Sequence, residues 1–226
     1  MPTLDFPSPE QVREDFDRIA AAGPEPETEA GAAALEALLA DLPPLETALD
    51  LGCGAGALLA RLALRVRRVT GVDLSLRMLA RARERTAGFP NVELVSGDFM
   101  TLPLAPAGFD LVASIATFHH LPLEPALERA ASLVRPGGRL WVLDLFEAEG
   151  PRGFLYDARM WIRSHVSALQ RRRAPAPLRE AWRAHGMHDR IPRLSEVRRA
   201  ARGLAGAMLH VHPLWRWSLE WRRPAA

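Results

Sequence analysis

Three glycines and an aspartate have the types and spacing that hold a nucleotide-like ligand. Gly52, Gly54 and Gly56 follow an apolar stretch and open a helical pattern. Glycines at this spacing let the backbone turn sharply and approach a ligand closely, which a Cβ would obstruct. Asp73 closes a second apolar stretch 21 residues after Gly52, where a carboxylate can accept hydrogen bonds from both hydroxyls of a ribose. The pattern predicts a nucleotide-cofactor loop.

The same spacing fits two kinds of cofactor. Gly52-x-Gly54-x-x-Ala57, with an acid about 20 residues further on, also satisfies the dinucleotide-binding pattern of dehydrogenases. Asp50, at the end of the first apolar stretch, favours a cationic ligand tail, because its carboxylate attracts an ammonium and repels a pyrophosphate. A third apolar stretch ends in Asp98-Phe99, which offers a carboxylate to an adenine amino group and a ring to its face.

Strand-like and helix-like segments alternate around these residues. Such βαβ alternation predicts a parallel, doubly wound sheet in which cofactor and substrate meet at the carboxyl ends of the strands. We expect a first helix over 9–22, capped by Ser8, to cover that cleft. The core segments are strands at 46–51, 68–72, 92–96, 109–114 and 139–146, and helices at 57–64, 76–86 and 125–133.

From Thr47 to Phe146 the chain resembles the class I S-adenosylmethionine-dependent methyltransferases. Phe118-His119-His120-Leu121 and the segment 134–138, Val-Arg-Pro-Gly-Gly, look like the small-molecule group that includes ubiquinone and menaquinone biosynthesis methyltransferases. The resemblance implies an α/β, Rossmann-like, mostly parallel seven-stranded sheet with a C-terminal antiparallel hairpin. Ile115 departs from the pattern, since many of these relatives have asparagine there.

The resemblance also implies S-adenosylmethionine as cofactor and S-adenosylhomocysteine as product. Several predicted contacts have a structural alternative: Asp73 as a helix cap, Asp98 as a turn residue, and Phe99, Leu74 and Met78 as core. The predicted cofactor-binding residues are Asp50, Gly52, Cys53, Gly54, Gly56, Asp73, Leu74, Met78, Asp98, Phe99 and Ser114.

His119 and His120 are the predicted catalytic residues. They follow the fourth strand, and a hydroxyl acceptor would need such a base to take its proton; the alternative is structural packing of one histidine. Weaker candidates lie further along the chain: Tyr156, His165, His185, His188 and Asp189. The spacing predicts no metal site, because Gly186 and Pro192 oppose a stable helical histidine pair and no cysteine cluster supports zinc.

We expect a single methyltransferase domain over 1–226, with a core at 46–146. N-terminal helices would occupy 1–45, including a second helix at 29–41. A helical cap insertion at 151–205 would select the acceptor through helices at 153–170, 178–185 and 194–202. A strand pair at 206–223, turning near His212-Pro213, would complete the sheet.

The net charge is +2, but the charges are unevenly distributed along the chain. Residues 1–50 contain 2 arginines and 12 acidic residues, whereas residues 151–226 contain 16 arginines and 5 acidic residues. This asymmetry admits an RNA methyltransferase, but it equally suits a pocket for an acidic substrate. We favour a small-molecule substrate over nucleic acid; a noncatalytic S-adenosylmethionine-binding module acting through a partner is another alternative. Without an apolar run of membrane-spanning length or a signal-peptide pattern, we expect a cytoplasmic protein, either monomer or homodimer.

Overall fold

The computed structural model describes residues 6–24, 36, 38–40, 42–147, 149, 175–187, 189–212 and 215–225. A short 3₁₀ helix, Phe118–His120, follows the fourth strand. The strands are β1 Leu45–Leu51, β2 Val66–Asp73, β3 Val92–Ser96, β4 Phe109–Ile115, β5 Val134–Leu145, β6 Met208–His212 and β7 Arg216–Arg222. The helices are α1 Pro9–Ala22, α2 Ala57–Leu62, α3 Leu76–Arg85, α4 Leu123–Leu133, α5 Ala176–Gly186 and α6 Leu194–Ala201.

All seven strands form one sheet in the order β3-β2-β1-β4-β5-β7-β6. The first five strands pair in parallel, whereas β7 runs antiparallel to both β5 and β6. The chain order reverses between β1 and β4, and in open α/β sheets ligands bind at such a point, outside the carboxyl ends of the strands. The predicted doubly wound sheet with a C-terminal antiparallel pair is confirmed.

Alternate residues of the central strands enter two cores, one on each face of the sheet. Leu49 and Val112 belong to the core that α4 and α6 complete, while Ala48 and Leu111 belong to the core that α2 and α3 complete. Because side chains alternate along a strand, a strand covered on both faces must be apolar at nearly every position. This explains the continuous apolar runs in the sequence.

One local feature differs from the sequence prediction. The segment Pro136-Gly137-Gly138 is not a turn ahead of the fifth strand but lies within β5, where the pairing register with β4 shifts by a bulge. In β7, Trp217 is fully buried, and its indole N–H donates to the carbonyl of Leu145.

Helix α1 begins as predicted, with the Ser8 hydroxyl accepting a hydrogen bond from the amide of Gln11. It packs against α3 and α5, with Ile19, Met78 and Leu178 in one small apolar cluster. Through these contacts α1 lies across the carboxyl-end side of the sheet.

Only part of the predicted cap and of the second N-terminal helix falls within the described residues. Of the second N-terminal helix, predicted at 29–41, the structure describes residues 36 and 38–40, which are helical. The helix predicted at 153–170 lies outside the described residues. Of the other two cap helices, α5 packs on α1, whereas α6 belongs to the core through Val197. Across the described ranges, no helix combines the length and apolarity needed to cross a membrane.

Candidate cofactor and active site

The glycine loop after β1 has the left-handed backbone that its sequence predicts. Gly52, Gly54 and Gly56 have φ angles of 70°, 51° and 78°, a region that residues with a Cβ seldom adopt. A Cβ on Gly52 would collide with the side chain of Thr117. In contrast, no atom of the described residues lies within 4 Å of the Cβ position of Gly54. Gly54 thus presents bare backbone to open space, as a cofactor cradle requires.

Asp73 ends β2 and holds this loop. Its Oδ2 accepts a hydrogen bond of 2.8 Å from the amide of Gly54, and its Oδ1 accepts one of 2.8 Å from the amide of Ser75. Burial raises the pKa of Asp73, although both amides act to lower it. The helix cap is Ser75, whose hydroxyl accepts from the amide of Met78. Each carboxylate oxygen of Asp73 keeps acceptor capacity, since one oxygen can accept more than one hydrogen bond.

Asp50 lies beside the loop, at the end of β1, and is almost fully buried. Its Oδ2 has no hydrogen-bond partner within the described part of the chain. Burial, reinforced by the charge of Asp73, raises the pKa of Asp50 to about 8. A buried carboxyl with an unpaired oxygen is costly unless a ligand or a cation satisfies it.

Helix α1 adds a residue that sequence reasoning missed. Asp17 accepts a hydrogen bond of 2.6 Å from the hydroxyl of Ser75 and one of 3.3 Å from the amide of Arg77. These bonds fix α1 over the turn between β2 and α3, next to Asp73. The expectation that α1 covers the cleft agrees with this contact.

The remaining predicted cofactor residues divide between the loop and the core. Phe99 is buried in the core with its ring 5.8 Å from that of Phe118, and Ser114 is buried while its hydroxyl donates to the carbonyl of Leu51. Both arrangements are structural contacts. Asp98 is half-buried and accepts from the amide of Met100, which is the turn alternative.

The other three predicted contacts lie close to the loop. Cys53 is buried with its sulfur facing Gly71 of β2, and burial raises the pKa of its thiol well above the usual range, so it fills space as a thiol. Leu74 is half-buried. Met78 is buried under α1.

His119 and His120 are both only 4% exposed and belong to the 3₁₀ helix after β4. Nδ1 of His119 lies 2.6 Å from Oδ1 of Asp144, which ends the neighbouring strand β5. Oδ2 of Asp144 also accepts hydrogen bonds from the amides of Thr117, Phe118 and His119. Burial acts to lower the pKa of His119, but Asp144 outweighs it and raises that pKa.

A second layer of groups closes over these histidines. His185 of α5 and the following Asp189 approach from one side: Oδ1 of Asp189 is 3.2 Å from Nδ1 of His120, and its Oδ2 is 3.3 Å from Nε2 of His185. The ring of Phe16 on α1 packs edge-on against both His120 and His185.

Sequence reasoning named His185 and Asp189 only as weak candidates and did not single out Asp144. The sequence carries one signal for Asp144. It is a carboxylate within the apolar end of the fifth strand, and that strand lies beside the strand that precedes both histidines. Nothing in the sequence spacing indicates that α5 packs here, because that contact depends on tertiary structure. Tyr156, His165 and His188 lie outside the described residues.

Part of the chain matches a known protein family. Residues 48–138 match the family model described as a methyltransferase domain. Residues 48–138 are thus similar to a methyltransferase domain, and the sheet order and the loop geometry agree with the fold that the resemblance implied.

Two curated relatives illustrate the similarity. The chain is 42% identical over 130 residues to an uncharacterized methyltransferase of Mycobacterium tuberculosis, an alignment that covers 56% of this chain and 65% of that protein. It is 38% identical over 108 residues to the 2-phytyl-1,4-naphtoquinone methyltransferase of Thermosynechococcus vestitus, covering 46% of this chain and 48% of the relative. The matches thus span less than two thirds of either relative.

Solved structures share the fold over nearly the whole chain. The [4+2]-cyclase SpnF has a TM-score of 0.67 at 18% identity, covering 98% of both chains. The N-methyltransferase NodS of Bradyrhizobium japonicum, in complex with S-adenosylhomocysteine, has a TM-score of 0.65 at 16% identity, covering 94% of this chain and 98% of NodS. One fold therefore serves a cyclase and a methyltransferase, so the reaction must be argued from the site.

Proposed function

We propose that this protein binds S-adenosylmethionine at the glycine loop and transfers its methyl group to a small-molecule acceptor. The observation that carries the proposal is Gly54, which offers left-handed, uncovered backbone while its amide is held by Asp73. The glycine loop provides backbone that a cofactor can approach closely, and Asp73 provides a carboxylate for its ribose.

The residues present suit the polar groups of that cofactor. Asp73 retains acceptor capacity for the ribose hydroxyls, and Asp50 offers a buried oxygen without a described partner to the ammonium of the methionine moiety. A cation near Asp50 would favour its ionised form. The cofactor supplies an activated methyl group, so the protein must mainly place an acceptor in line with that methyl and exclude water.

The topology supports an acceptor position at the carboxyl ends of the central strands. β4 ends beside β1, β5 ends beside β4, and the 3₁₀ helix after β4 lies under α1 and α5. An acceptor at these strand ends would be enclosed by Phe16 and by Trp182 of α5, whose rings lie 6.3 Å apart. This enclosure, and relatives that include a naphthoquinone methyltransferase, favour a small molecule with an apolar or aromatic body. A proton-accepting role for His119 or His120 stays a prediction, because both are buried.

The charge gradient gives little support to RNA as the substrate. Several arginines of the basic C-terminal third are already engaged: Arg190 with Glu196, Arg199 with Glu124, and Arg223 with the carbonyl of Val134. Side chains paired in this way have less charge to offer phosphates, which dominate nucleic-acid affinity.

The experiment is a methyl-transfer assay with S-adenosylmethionine labelled on the methyl group. The protein is incubated separately with a panel of quinols and phenols and with total RNA, and S-adenosylhomocysteine formation is measured alongside the location of the label. Label in a small molecule, with product formed in proportion, supports the proposal. Label in RNA would replace it with the RNA alternative. Cofactor binding without turnover on any acceptor would favour the noncatalytic module.

A further inference from the structure

Four metal-ligating side chains converge beneath α1. His119 and His120 come from the 3₁₀ helix after β4, His185 from the last turn of α5, and Asp189 from the segment that follows. One ligand atom from each lies within 4.8 Å of all the others. The three histidines are at most 4% exposed and Asp189 is 14% exposed.

Several buried polar atoms of the cluster lack a hydrogen-bond partner within the described residues. Both ring nitrogens of His120 and Oδ1 of Asp189 are buried without a hydrogen-bond partner in the described ranges, although Nδ1 of His120 and Oδ1 of Asp189 approach to 3.2 Å. A buried imidazole without hydrogen bonds carries a desolvation cost. Coordination of a cation would satisfy one ring nitrogen of His120, through its lone pair, and the carboxylate of Asp189.

Outer carboxylates orient two of the imidazoles toward the centre of the cluster. Asp144 lies 2.6 Å from Nδ1 of His119, and Asp15 of α1 lies 3.4 Å from Nδ1 of His185. Each arrangement leaves Nε2 facing Asp189, at 4.0 Å for His119 and 3.3 Å for His185. Carboxylate–histidine–metal triads use this geometry to fix the tautomer and orientation of the ligand.

We propose that His119, His120, His185 and Asp189 form a binding site for a divalent transition-metal ion, best suited to Zn²⁺. Bonds of about 2.0–2.1 Å in a tetrahedral site place ligand atoms about 3.3 Å apart. Asp189 lies at 3.2 Å from His120 through Oδ1 and at 3.3 Å from His185 through Oδ2, both close to that value. The distance to His119 is 4.0 Å and the four ligand atoms lie within 4.8 Å of one another, so the ligands would draw inward around a bound ion. Three imidazoles and one carboxylate favour zinc over Mg²⁺ or Ca²⁺, which prefer all-oxygen sites.

The position of the ion implies a structural role. It would tie α5 and Asp189 to the loop after β4, across the region that α1 covers. Four protein ligands and little exposure describe a closed site, the kind that stabilises a fold. A bound ion would prevent His119 and His120 from accepting a proton, because a coordinated nitrogen has no free lone pair.

The test is independent of methyl transfer. Purified protein is stripped with a chelator and titrated with Zn²⁺ in a calorimeter, and with Mg²⁺ in parallel. Metal content after dialysis and the visible absorption spectrum with Co²⁺ are recorded. The variants are Asp189→Asn and His185→Gln, which remove ligands, and Asp15→Asn, which removes only an outer carboxylate. The matched control is His210→Gln, at an exposed histidine of β6.

We expect one Zn²⁺ per chain, a Co²⁺ spectrum of the tetrahedral type and no Mg²⁺ binding. A 100-fold excess of zinc over its Kd should raise the thermal midpoint by about 5–10 °C. Asp15→Asn should weaken zinc binding about 10–100-fold, the two ligand variants should weaken it at least as much, and His210→Gln should have no effect. Less than a tenth of an equivalent of zinc with no shift in the midpoint, or unchanged binding in Asp189→Asn and His185→Gln, would overturn the proposal.

Discussion

The carboxylate of Asp73 accepts a hydrogen bond of 2.8 Å from the amide of Gly54. This bond joins the end of β2 to the glycine loop after β1, two adjacent parallel strands. The acid expected to meet the ribose is therefore also the residue that shapes the loop. Cofactor affinity and loop geometry should change together when Asp73 is altered.

Asp73→Ala should weaken affinity for S-adenosylmethionine by about 10–100-fold, because it removes charge-assisted hydrogen bonds to the ribose and to the amide of Gly54. Asp73→Asn keeps one carboxamide oxygen and should have a smaller effect. Calorimetric titration measures both, with circular dichroism as the check on folding. Unchanged affinity in a folded Asp73→Ala protein would refute the assignment.

Gly54→Ala should reduce cofactor affinity with little cost to the fold. Its Cβ would meet no described atom and would point into the space assigned to the cofactor. Gly137→Ala is the matched control, since Gly137 also has a positive φ, 77°, and an open Cβ position, but lies in β5 at the opposite, amino end. Both substitutions carry the same kind of backbone strain, about 1 kcal/mol. Equal cofactor affinity in the two variants would contradict the placement of the cofactor.

Asp50→Asn should stabilise the ligand-free protein by about 1–3 kcal/mol at pH 7, because a buried carboxyl with an unpaired oxygen is replaced by a neutral group. The same change should weaken S-adenosylmethionine binding by removing the partner of the ammonium. Chemical denaturation and calorimetry measure the two effects. A variant that is less stable and binds normally would show that Asp50 has a structural role only.

The stabilisation expected from Asp50→Asn should increase with pH. The pKa of Asp50 is about 8 in the folded protein against an ordinary value of 3.8, so between these values the native state holds a proton that the unfolded state has lost. Stability contributed by this group falls as pH rises through that window. The stability advantage of Asp50→Asn should therefore grow from pH 4 to pH 8 and then level off. An advantage independent of pH would contradict the raised pKa.

Asp144→Ala should destabilise the fold by about 3–5 kcal/mol, since it leaves a buried imidazole and three backbone amides without their acceptor. Asp98→Ala is the comparison, because Asp98 accepts one amide in a turn and should cost about 1 kcal/mol. Urea denaturation curves give both free energies of unfolding. A cost for Asp144→Ala no larger than that for Asp98→Ala would show that Asp144 does not organise the 3₁₀ helix.

Much of the core was predictable because its signals are local. The glycine spacing predicted the left-handed loop, and the apolar runs predicted β1 to β4 within about two residues at each end. The start of β5 was wrong, because Pro136-Gly137-Gly138 has turn composition yet forms a bulge within the strand, held by pairing with β4. Ladder hydrogen bonds to a neighbour are not visible in local composition.

The candidate site was less predictable, because its members come from distant parts of the chain. Asp15 and His185 lie 170 residues apart, and only the packing of α1 on α5 brings them together. The sequence argument against a metal site used helical spacing and the lack of a cysteine cluster, whereas the four clustered side chains come from a 3₁₀ helix, a helix end and a connecting segment. The packing of Phe99 and Ser114 was also not visible in the sequence, because both are buried by tertiary contacts; their contact with the cofactor stays a prediction.

The most direct test of the account is a calorimetric titration of the purified protein with S-adenosylmethionine and S-adenosylhomocysteine, with NAD and NADP as controls. The account predicts binding of the first two at micromolar concentration and of neither dinucleotide, because an ammonium beside Asp50 favours the ionised carboxylate, whereas a pyrophosphate there would gain no opposite charge. Binding of NAD or NADP in place of S-adenosylmethionine would contradict it and would assign the glycine loop to a dehydrogenase.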